Sequence, residues 1–421
     1  MKIIKLIVII SLLLLFIPVL VCAASMSLEQ CLVRGLDANP QIKAYTLAIE
    51  AAQEGVHEAF GAFLPTLSLN YGKSWLDNNG SPGTDSDYLS QQSDTFSIRL
   101  SQPLYTGYAG VAGLEKARQL RTYRESELRY MEQQLAREIK TYFYNVLRSQ
   151  QLVIKWGESV ERLKNQQKIA RAWVEQDLAP RLRLLEIGVE LAHVQQQLVD
   201  AETSLAIAAA RLKEWLVFSA VEPLQVQGNL QQDLPSVCTD VEICLDLAFD
   251  QRPELFLSQL NISMAREDLK TIRARNLPQV SLDASRVDYS RNYDFHALDD
   301  EERDYYTLSL NLSMNLFQGG KTIHAHRRQK KEIQRLKQVS IQQKNAIETE
   351  VRTRFQQLIA GSSRLASAVS GVDAAREAYN FADQAARLGV SSLNDLLVAE
   401  VRLTQAEISK INADHDLQQA Q

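Results

Sequence analysis

A segment near the N-terminus of this sequence is repeated in its second half. Pro40 and Pro65 match Pro253 and Pro278, and 253 minus 40 and 278 minus 65 both give a shift of 213 residues without a gap. Further identities at this shift are Glu29/Glu242, Cys31/Cys244, Asp37/Asp250, Leu47/Leu260, Ile49/Ile262, Ala52/Ala265, Leu64/Leu277 and Ser68/Ser281. Chance does not produce this agreement over one ungapped segment. The chain is therefore a duplicated unit, and both halves must accommodate the same fold.

Four short stretches of the sequence alternate between apolar and polar residues. Two follow the first copy, at residues 66–75 and 96–101, and two follow the second, at residues 280–285 and 306–316. A period of two predicts strands that have one apolar and one polar face.

The residues that flank these strands indicate whether the apolar face contacts lipid or a protein interior. Polar segments at residues 77–85 and 292–303 are expected to form the loops between paired strands. Aromatic residues such as Trp75, Tyr105 and Phe317 flank the stretches, which is the pattern of outer-membrane strands. A soluble sandwich that buries its apolar faces is the alternative.

The longest predicted elements are helices. Residues 108–177 and 320–390 contain no proline, and about 70 residues at 1.5 Å each give roughly 100 Å of helix. After Pro180, apolar residues recur at steps of three and four, which indicates coiled-coil packing. These seam residues are Leu184, Ile187, Leu191, Val194, Leu198, Ala201, Leu205, Ala208, Leu212 and Trp215. The pattern predicts two antiparallel helical hairpins, 108–177 with 182–217 and 320–388 with 393–417.

The N-terminus has the features of a signal peptide. Lys2 and Lys5 precede an apolar run at residues 6–16, and small residues at 23–24 provide a cleavage site, so residues 1–23 are interpreted as a signal peptide. An uncleaved anchor and lipid attachment at Cys22 are the alternatives. No other segment is apolar enough for a transmembrane helix, so a location in the membrane requires a β-barrel.

The composition argues against several classes of function. The chain has 46 Lys and Arg against 51 Asp and Glu, and this acidic balance argues against nucleic-acid binding. We find no phosphate-binding Gly-rich loop, no nucleophile with a positioned base and no metal-spaced Cys/His set. The sequence therefore predicts no catalytic residue, cofactor or metal site. His324 and His326 lie in a basic run that is interpreted as a solvated helix face.

The cysteines are few. Cys31 and Cys244 occupy equivalent positions of the repeat, so each is expected to pack its own half as a small apolar side chain. A disulfide between Cys238 and Cys244 is possible in an exported protein, although the spacing does not predict one.

The order of elements is helix, strand, strand and long helices, twice over. The second strand of each pair ends in a similar motif, Pro103-Leu-Tyr-Thr-Gly107 or Asn315-Leu-Phe-Gln-Gly319. With these motifs, the sequence resembles the TolC family of outer-membrane efflux and secretion channels over essentially the whole mature chain. The resemblance implies a mixed α and transmembrane β fold. Long coiled-coil hairpins would form a periplasmic α-barrel, and each chain would give four strands to a trimeric 12-stranded β-barrel.

The strand count by itself also favours an oligomer. The smallest closed barrels have about 8 strands, and an open four-stranded sheet in lipid would leave its edges unpaired. The resemblance implies a homotrimer in the outer membrane that extends into the periplasm, where it is a passive exit duct of a tripartite efflux pump or a type I secretion system. The implied partners are a periplasmic membrane-fusion adaptor, an inner-membrane transporter and outer-membrane lipid. An exported, membrane-tethered coiled-coil scaffold is the alternative function.

The repeat sets the expected organisation. The first repeat covers residues 24–218, with a β-hairpin at about 64–107 and a helical hairpin at about 108–218. A linker at 219–239 follows. The second repeat covers 240–421, with a β-hairpin at about 278–319 and a helical hairpin at about 320–421. The turns at the strand boundaries are expected at Pro65, Gly107, Pro278 and Gly319.

The candidate functional residues lie at the hairpin turns. The resemblance implies that Asp395 lines the periplasmic aperture, where three-fold symmetry would make it a ring of three negative charges that favours cations. An ordinary exposed or capping aspartate is the alternative. Val398 and Arg183 stand where related channels often have acidic residues, so the details of the gate differ. The tips expected to dock the adaptor comprise Leu178, Ala179, Pro180, Arg183, Gly389, Val390 and Ser391.

Overall fold

The computed structural model describes residues 25–78, 89–177, 179–219, 224–230, 240–293, 301–388, 390 and 392–420. The predicted signal peptide with Cys22, most of the predicted linker with Cys238, and the tip residues Leu178, Gly389 and Ser391 lie outside the described residues.

Eight helices are described in chain order. They are α1 (Leu28–Ala38), α2 (Pro40–Gly61), α3 (Ala109–Glu175), α4 (Arg181–Trp215), α5 (Val241–Gln251), α6 (Pro253–Ala274), α7 (Lys321–Arg387) and α8 (Leu393–Ala420). The duplication is visible in their lengths, because α1 and α5 have 11 residues, α2 and α6 have 22, and α3 and α7 have 67. In each repeat a proline begins the second helix, since proline disfavours helix in the residue before it.

The strands form two sheets. They are β1 (Ser25–Met26), β2 (Thr66–Asn78), β3 (Leu89–Tyr105), β4 (Gln225–Val226), β5 (Gln279–Tyr293) and β6 (Glu301–Ser313). The larger sheet has the order β2-β3-β5-β6 with antiparallel neighbours throughout. It confirms the four predicted strands and joins the two repeats through β3 and β5. The short strands β1 and β4 pair in parallel, so part of the predicted linker is bound to the start of the described chain.

The chain divides into two compact units. One unit comprises the described residues within 25–42, 132–245 and 349–420, and the other comprises those within 43–131 and 246–348. The second unit holds the four-stranded sheet with α2 and α6, whereas the first holds the hairpin turns. Helices α3 and α7 contribute residues to both. We call the first unit the hairpin unit and the second unit the sheet unit.

The core of the hairpin unit confirms the predicted seam of α4. All ten seam residues are buried or half-buried. Leu191 and Val194 of α4 pack on Val160 and Leu163 of α3, with Leu397 of α8 against the same cluster. Nearer the turns, Ala170, Ile187 and Leu393 unite the same three helices. Ala382 and Ala386 of α7 pack on Leu396 and Ala399 of α8. Four helices therefore pack around shared apolar clusters, as the long coiled-coil pattern predicts.

Strand ends differ from the sequence prediction. The predicted strand at 306–316 instead covers Glu301–Ser313, and β5 continues to Tyr293, so the predicted loop at 292–303 is shorter. The extension is stabilised by ion pairs between the two strands, including Arg291 with Glu301 at 4.0 Å. At the other end the ladder stops where Ser313 pairs with Gln279, because the preceding Pro278 has no backbone N–H to continue it.

The cysteine prediction is half wrong. Cys31 is buried and free, and burial raises the pKa of its thiol to about 11. Cys244 is disulfide-bonded and only half-buried, so it is not a packed apolar side chain like its repeat counterpart. Its bonding partner lies outside the described residues. Equivalent positions in the two repeats therefore have different chemistry.

Candidate functional site: an amphipathic sheet and the turns of the helical hairpins

One face of the four-stranded sheet is apolar and exposed. Leu67 of β2 lies opposite Leu100 of β3, and Leu282 of β5 lies opposite Leu310 of β6. The side chains on this face include Leu67, Leu69, Tyr71, Phe96, Ile98, Leu100, Leu282, Tyr306, Leu308, Leu310 and Leu312, all of them exposed. Leu67 is 72% exposed, so nothing in the described chain covers the face that a soluble sandwich would bury. Apolar surface left in water costs about 25 cal/mol per Å², and the soluble alternative is therefore disfavoured.

The apolar face has a defined height. On β6 it runs from Tyr306 to Leu312, which is roughly 20 Å of strand, and the exposed Met314 and Leu316 continue it beyond the strand end. At the other end charged pairs occupy the same face, including Lys73 with Asp94 at 3.5 Å and Arg286 with Asp304 at 3.1 Å. The band is comparable with the apolar belt of about 25 Å on outer-membrane strands.

The opposite face of the sheet is polar. Asp283 of β5 lies on this face and accepts hydrogen bonds from the Ser281 hydroxyl at 2.9 Å and the Asn311 amide at 2.6 Å. Ser74 of β2 and Ser93 of β3 are 2.7 Å apart through their hydroxyl oxygens. Such a face is suited to contact with water, so the sheet has one surface for lipid and one for an aqueous space.

The sheet has two open edges. Its outer strands are β2 and β6, and within the described residues no further strand pairs with either of them. An exposed strand edge leaves a row of backbone N–H and C=O groups without partners. A partner strand on each side would satisfy both rows.

The predicted boundary turns lie between strand and helix. Pro65 and Pro278 immediately precede β2 and β5, while Gly107 and Gly319 follow β3 and β6. Both glycines have positive φ, 62° and 57°, which favours glycine. Only Gly107 is also crowded. A Cβ placed there would come within 2.9 Å of the Ala274 carbonyl oxygen, whereas one at Gly319 would meet nothing within 4 Å.

The turns of the two helical hairpins lie near each other. Arg183 at the start of α4 pairs with Glu186 at 2.7 Å and donates to the amide oxygen of Asn394 in α8 at 3.5 Å. Ala179 is half-buried, Pro180 is exposed where it caps α4, and Val390 is 82% exposed. The described tip residues therefore combine an apolar exposed surface with a contact between the two repeats.

Asp395 caps the start of α8. Its carboxylate accepts hydrogen bonds from the Ser392 backbone N–H at 3.1 Å and the Ser392 hydroxyl at 2.7 Å. In return, the Asp395 backbone N–H donates to the Ser392 hydroxyl at 3.2 Å. This reciprocal pairing is a capping box that satisfies two helix-terminal donors. Asp395 is also exposed, so the capping interpretation has direct geometric support, and the charge remains accessible to solvent.

The hairpin unit also contains a buried ionic cluster that was not predicted from the sequence. Glu400 of α8 is fully buried and receives two short hydrogen bonds from the Arg162 guanidinium of α3, at 2.9 and 2.7 Å. The Ser159 hydroxyl donates to the same carboxylate at 2.9 Å. Glu407, also buried, lies 3.6 Å from Lys155. The available signal was the placement of Glu400, Thr404 and Glu407 at steps of three and four along α8, where a coiled-coil seam is normally apolar.

An amphipathic sheet whose strands are followed in the chain by long helical hairpins, in both repeats, defines the class of outer-membrane export channels. The family described as outer membrane efflux protein matches residues 32–216 and 244–421 of this chain. The chain belongs to the outer membrane efflux protein family, which confirms the TolC-like resemblance. It is an outer-membrane channel for efflux or secretion.

Relatives of known function are similar over most of their length. The alkaline protease secretion protein AprF of Pseudomonas aeruginosa is 26% identical over 394 residues, which cover 90% of this chain and 80% of AprF. The outer membrane efflux protein BepC of Brucella suis is 21% identical over 407 residues, covering 94% of this chain and 83% of BepC.

Solved structures confirm the fold. The outer-membrane channel OprN superposes with a TM-score of 0.78 at 17% identity, covering 93% of this chain and 87% of OprN. CusC gives a TM-score of 0.81 at 15% identity and covers 94% of this chain and 90% of CusC. Among the helices of the described residues, none has both the length and the hydropathy needed to cross a membrane.

Proposed function

We propose that three copies of this chain form one exit duct. Each copy would contribute β2, β3, β5 and β6 to a shared 12-stranded barrel in the outer membrane. The observation that carries the proposal is the four-stranded sheet with an exposed apolar face, a polar opposite face and two open edges. In a closed ring of three sheets, β2 of one copy pairs with β6 of the next, and every edge is satisfied.

The helical hairpins would continue this duct into the periplasm. AprF is a protease secretion protein and BepC an efflux protein by their names, and an outer-membrane duct of either kind has no energy source of its own. We therefore assign this chain a periplasmic adaptor and an inner-membrane transporter as partners, and no chemical reaction. The cargo is either a small molecule or ion, or a polypeptide, and a deletion strain assayed for both drug accumulation and secreted protein separates the two.

The first experiment is the mass of the protein extracted by detergent from separated outer membranes, together with its N-terminal sequence. A particle of three chains that begin near Ala24 or Ser25 supports the duct. A monomer, or a chain that still begins at Met1 in the inner membrane, removes the barrel and favours the tethered scaffold. Single-channel conductance in planar bilayers then tests whether the particle is open to ions.

We assign the docking of the adaptor to the hairpin tips that include Pro180, Arg183 and Val390. Apolar tips exposed to water favour a protein partner. Replacing Val390 with Asp should abolish export while leaving the trimer intact. The matched control is Val199→Asp. Val199 is an exposed valine of the hairpin unit, like Val390, but it lies within α4 and away from the turns. Equal loss of export in both variants would contradict docking at the tips.

We propose that Asp395 also contributes charge at the periplasmic aperture. Asp395→Ala should lower cation selectivity or block by divalent ions in bilayer recordings, because three symmetric carboxylates would attract cations. The capping box supplies the control, since Ser392→Ala removes the hydroxyl partner but keeps the charge. If Ser392→Ala changes selectivity as much as Asp395→Ala, the effect is due to helix capping and the aperture assignment is wrong.

A further inference from the structure

The start of α7 carries a concentration of positive charge that its repeat counterpart lacks. Residues 305–331 contain five Lys or Arg and no Asp or Glu, in a chain whose formal net charge is −5. These cations are Lys321, Arg327, Arg328, Lys330 and Lys331, and all are exposed. Within the described part of the chain, none of them has a carboxylate within 4.0 Å.

The equivalent helix of the first repeat differs. At the start of α3, Lys116 pairs with Asp268 at 2.6 Å and Arg118 lies 3.8 Å from Glu115. Those two cations have carboxylate partners within the protein, whereas the five cations at the start of α7 have none within 4.0 Å among the described residues. The basic charge is therefore specific to one repeat and is not required by the shared fold.

One side of α7 is already occupied. The ring of His326 accepts a hydrogen bond from the Arg273 guanidinium at 3.3 Å, and Gln329 donates to the Ala265 carbonyl at 2.9 Å, so both face α6. At about 100° per residue, Arg327, Arg328 and Lys331 lie on the other side of the helix. We call these three residues the basic face.

The basic face follows directly on the apolar band of the sheet. Leu316 and Phe317, 85% and 84% exposed, are the last apolar residues before the Gly319 and Gly320 turn that begins α7. Lys331 is ten residues along α7 from Lys321, or roughly 15 Å. The headgroup layer adds about 5–8 Å on each side of the hydrocarbon core, and long basic side chains extend several ångströms towards it.

We propose that the basic face binds the phosphate groups of anionic phospholipid in the periplasmic leaflet of the outer membrane. The inference rests on the proposed barrel, because the barrel places the apolar band in the bilayer. Phosphate suits these side chains, since guanidinium and ammonium groups donate charge-assisted hydrogen bonds to it. Such lipid would supply the counter-charge that the described residues do not provide there.

The test compares phosphatidylglycerol with phosphatidylcholine. The purified full-length protein is titrated with each lipid in neutral detergent, and native mass spectrometry counts the lipids retained. Each cation near an anionic surface contributes about fivefold in affinity. The triple variant Arg327→Gln, Arg328→Gln, Lys331→Gln should therefore lower retention of phosphatidylglycerol at least about tenfold and leave retention of phosphatidylcholine unchanged.

Two control variants isolate charge and position. Arg327→Lys, Arg328→Lys, Lys331→Arg keeps the charge and should retain phosphatidylglycerol. Lys116→Gln, Arg118→Gln removes paired cations from the equivalent helix and should also behave as the unmodified protein. Equal retention of the two lipids by the unmodified protein, or equal retention of phosphatidylglycerol by the unmodified protein and the triple variant, would overturn the proposal.

A separate measurement shows whether the proposed barrel, rather than lipid binding, is wrong. Insertion of all proteins into vesicles, measured as resistance to alkaline extraction, is checked first. If the unmodified protein does not insert, the proposed function and this inference both fail. If it inserts without preferring phosphatidylglycerol, only the inference fails.

Discussion

Removal of the Arg162 side chain should strongly loosen the packing of α8 in the hairpin unit. Among the described residues, Arg162 is the only cation within 4.0 Å of the fully buried Glu400 carboxylate. Arg162→Met keeps most of the side-chain volume but leaves Glu400 with only the hydroxyls of Ser159 and Thr404. Glu407 is less affected, because Lys155 remains near it at 3.6 Å.

The magnitude follows from the cost of an unpaired buried charge. Breaking a buried ion pair by removing one partner costs about 3–5 kcal/mol. At about 1.4 kcal/mol for each tenfold change, the population of locally opened α8 should rise roughly a hundredfold to several thousandfold. Because a membrane protein of this kind need not unfold reversibly, local opening is the better observable. Hydrogen exchange of peptides around residues 396–404 measures it directly.

Two further variants decide the cause. Arg162→Met combined with Glu400→Gln leaves no unpaired buried charge, so exchange should return to within about tenfold of the unmodified protein. Arg335→Met breaks the exposed pair with Glu332 and should change exchange little, since such pairs contribute about 0–1 kcal/mol. If the single and double variants exchange equally fast, or Arg162→Met exchanges no faster than Arg335→Met, an unpaired buried charge is not the cause of the opening.

Three other predictions use local geometry. Gly107→Ala should lower the thermal stability of the assembled protein more than Gly319→Ala. Both substitutions add roughly 1–2 kcal/mol of left-handed backbone strain, but only the Cβ added at position 107 also meets the Ala274 carbonyl oxygen. Equal melting temperatures of the two variants would contradict this prediction. Cys31 should resist maleimide at pH 8 in the folded protein and react once denatured, because a thiol of pKa about 11 is only about one part in a thousand ionised there; rapid labelling of the native protein would be the opposite result. Burial and Arg148 lower the pKa of His415. The folded state therefore disfavours protonation of His415, and the stability of the protein should fall as the pH drops below about 6.5. His415→Gln should reduce this loss of stability between melting curves at pH 8 and pH 5, and an identical loss in both proteins would argue against the prediction.

The sequence pattern was sufficient for the elements and for the class of fold. Residues such as Ile187 and Leu191 recur at the coiled-coil spacing and are buried, and Leu308 and Leu310 alternate with polar neighbours and are exposed on one face. These predictions succeed because the period of a helix or strand is set by its own backbone.

The candidate site was predicted only in part. The position of Asp395 near a hairpin turn follows from the sequence, but its reciprocal hydrogen bonds with Ser392 depend on the backbone at the start of α8. The ends of β6 were misplaced because the cross-strand partners, such as Arg291 for Glu301, decide how far the ladder continues. The different states of Cys31 and Cys244 likewise cannot be read from their equivalent positions in the repeat.

The duplication, the apolar and polar faces of the four strands, and the apolar seam between the long helices all follow from the amino-acid sequence. Each of these rests on a local period along the chain. The pairing of β3 in one repeat with β5 in the other, and the contact of Arg162 with Glu400 238 positions away, are seen only in the folded chain. Such contacts depend on how whole elements pack against one another, and no local period specifies which elements become neighbours.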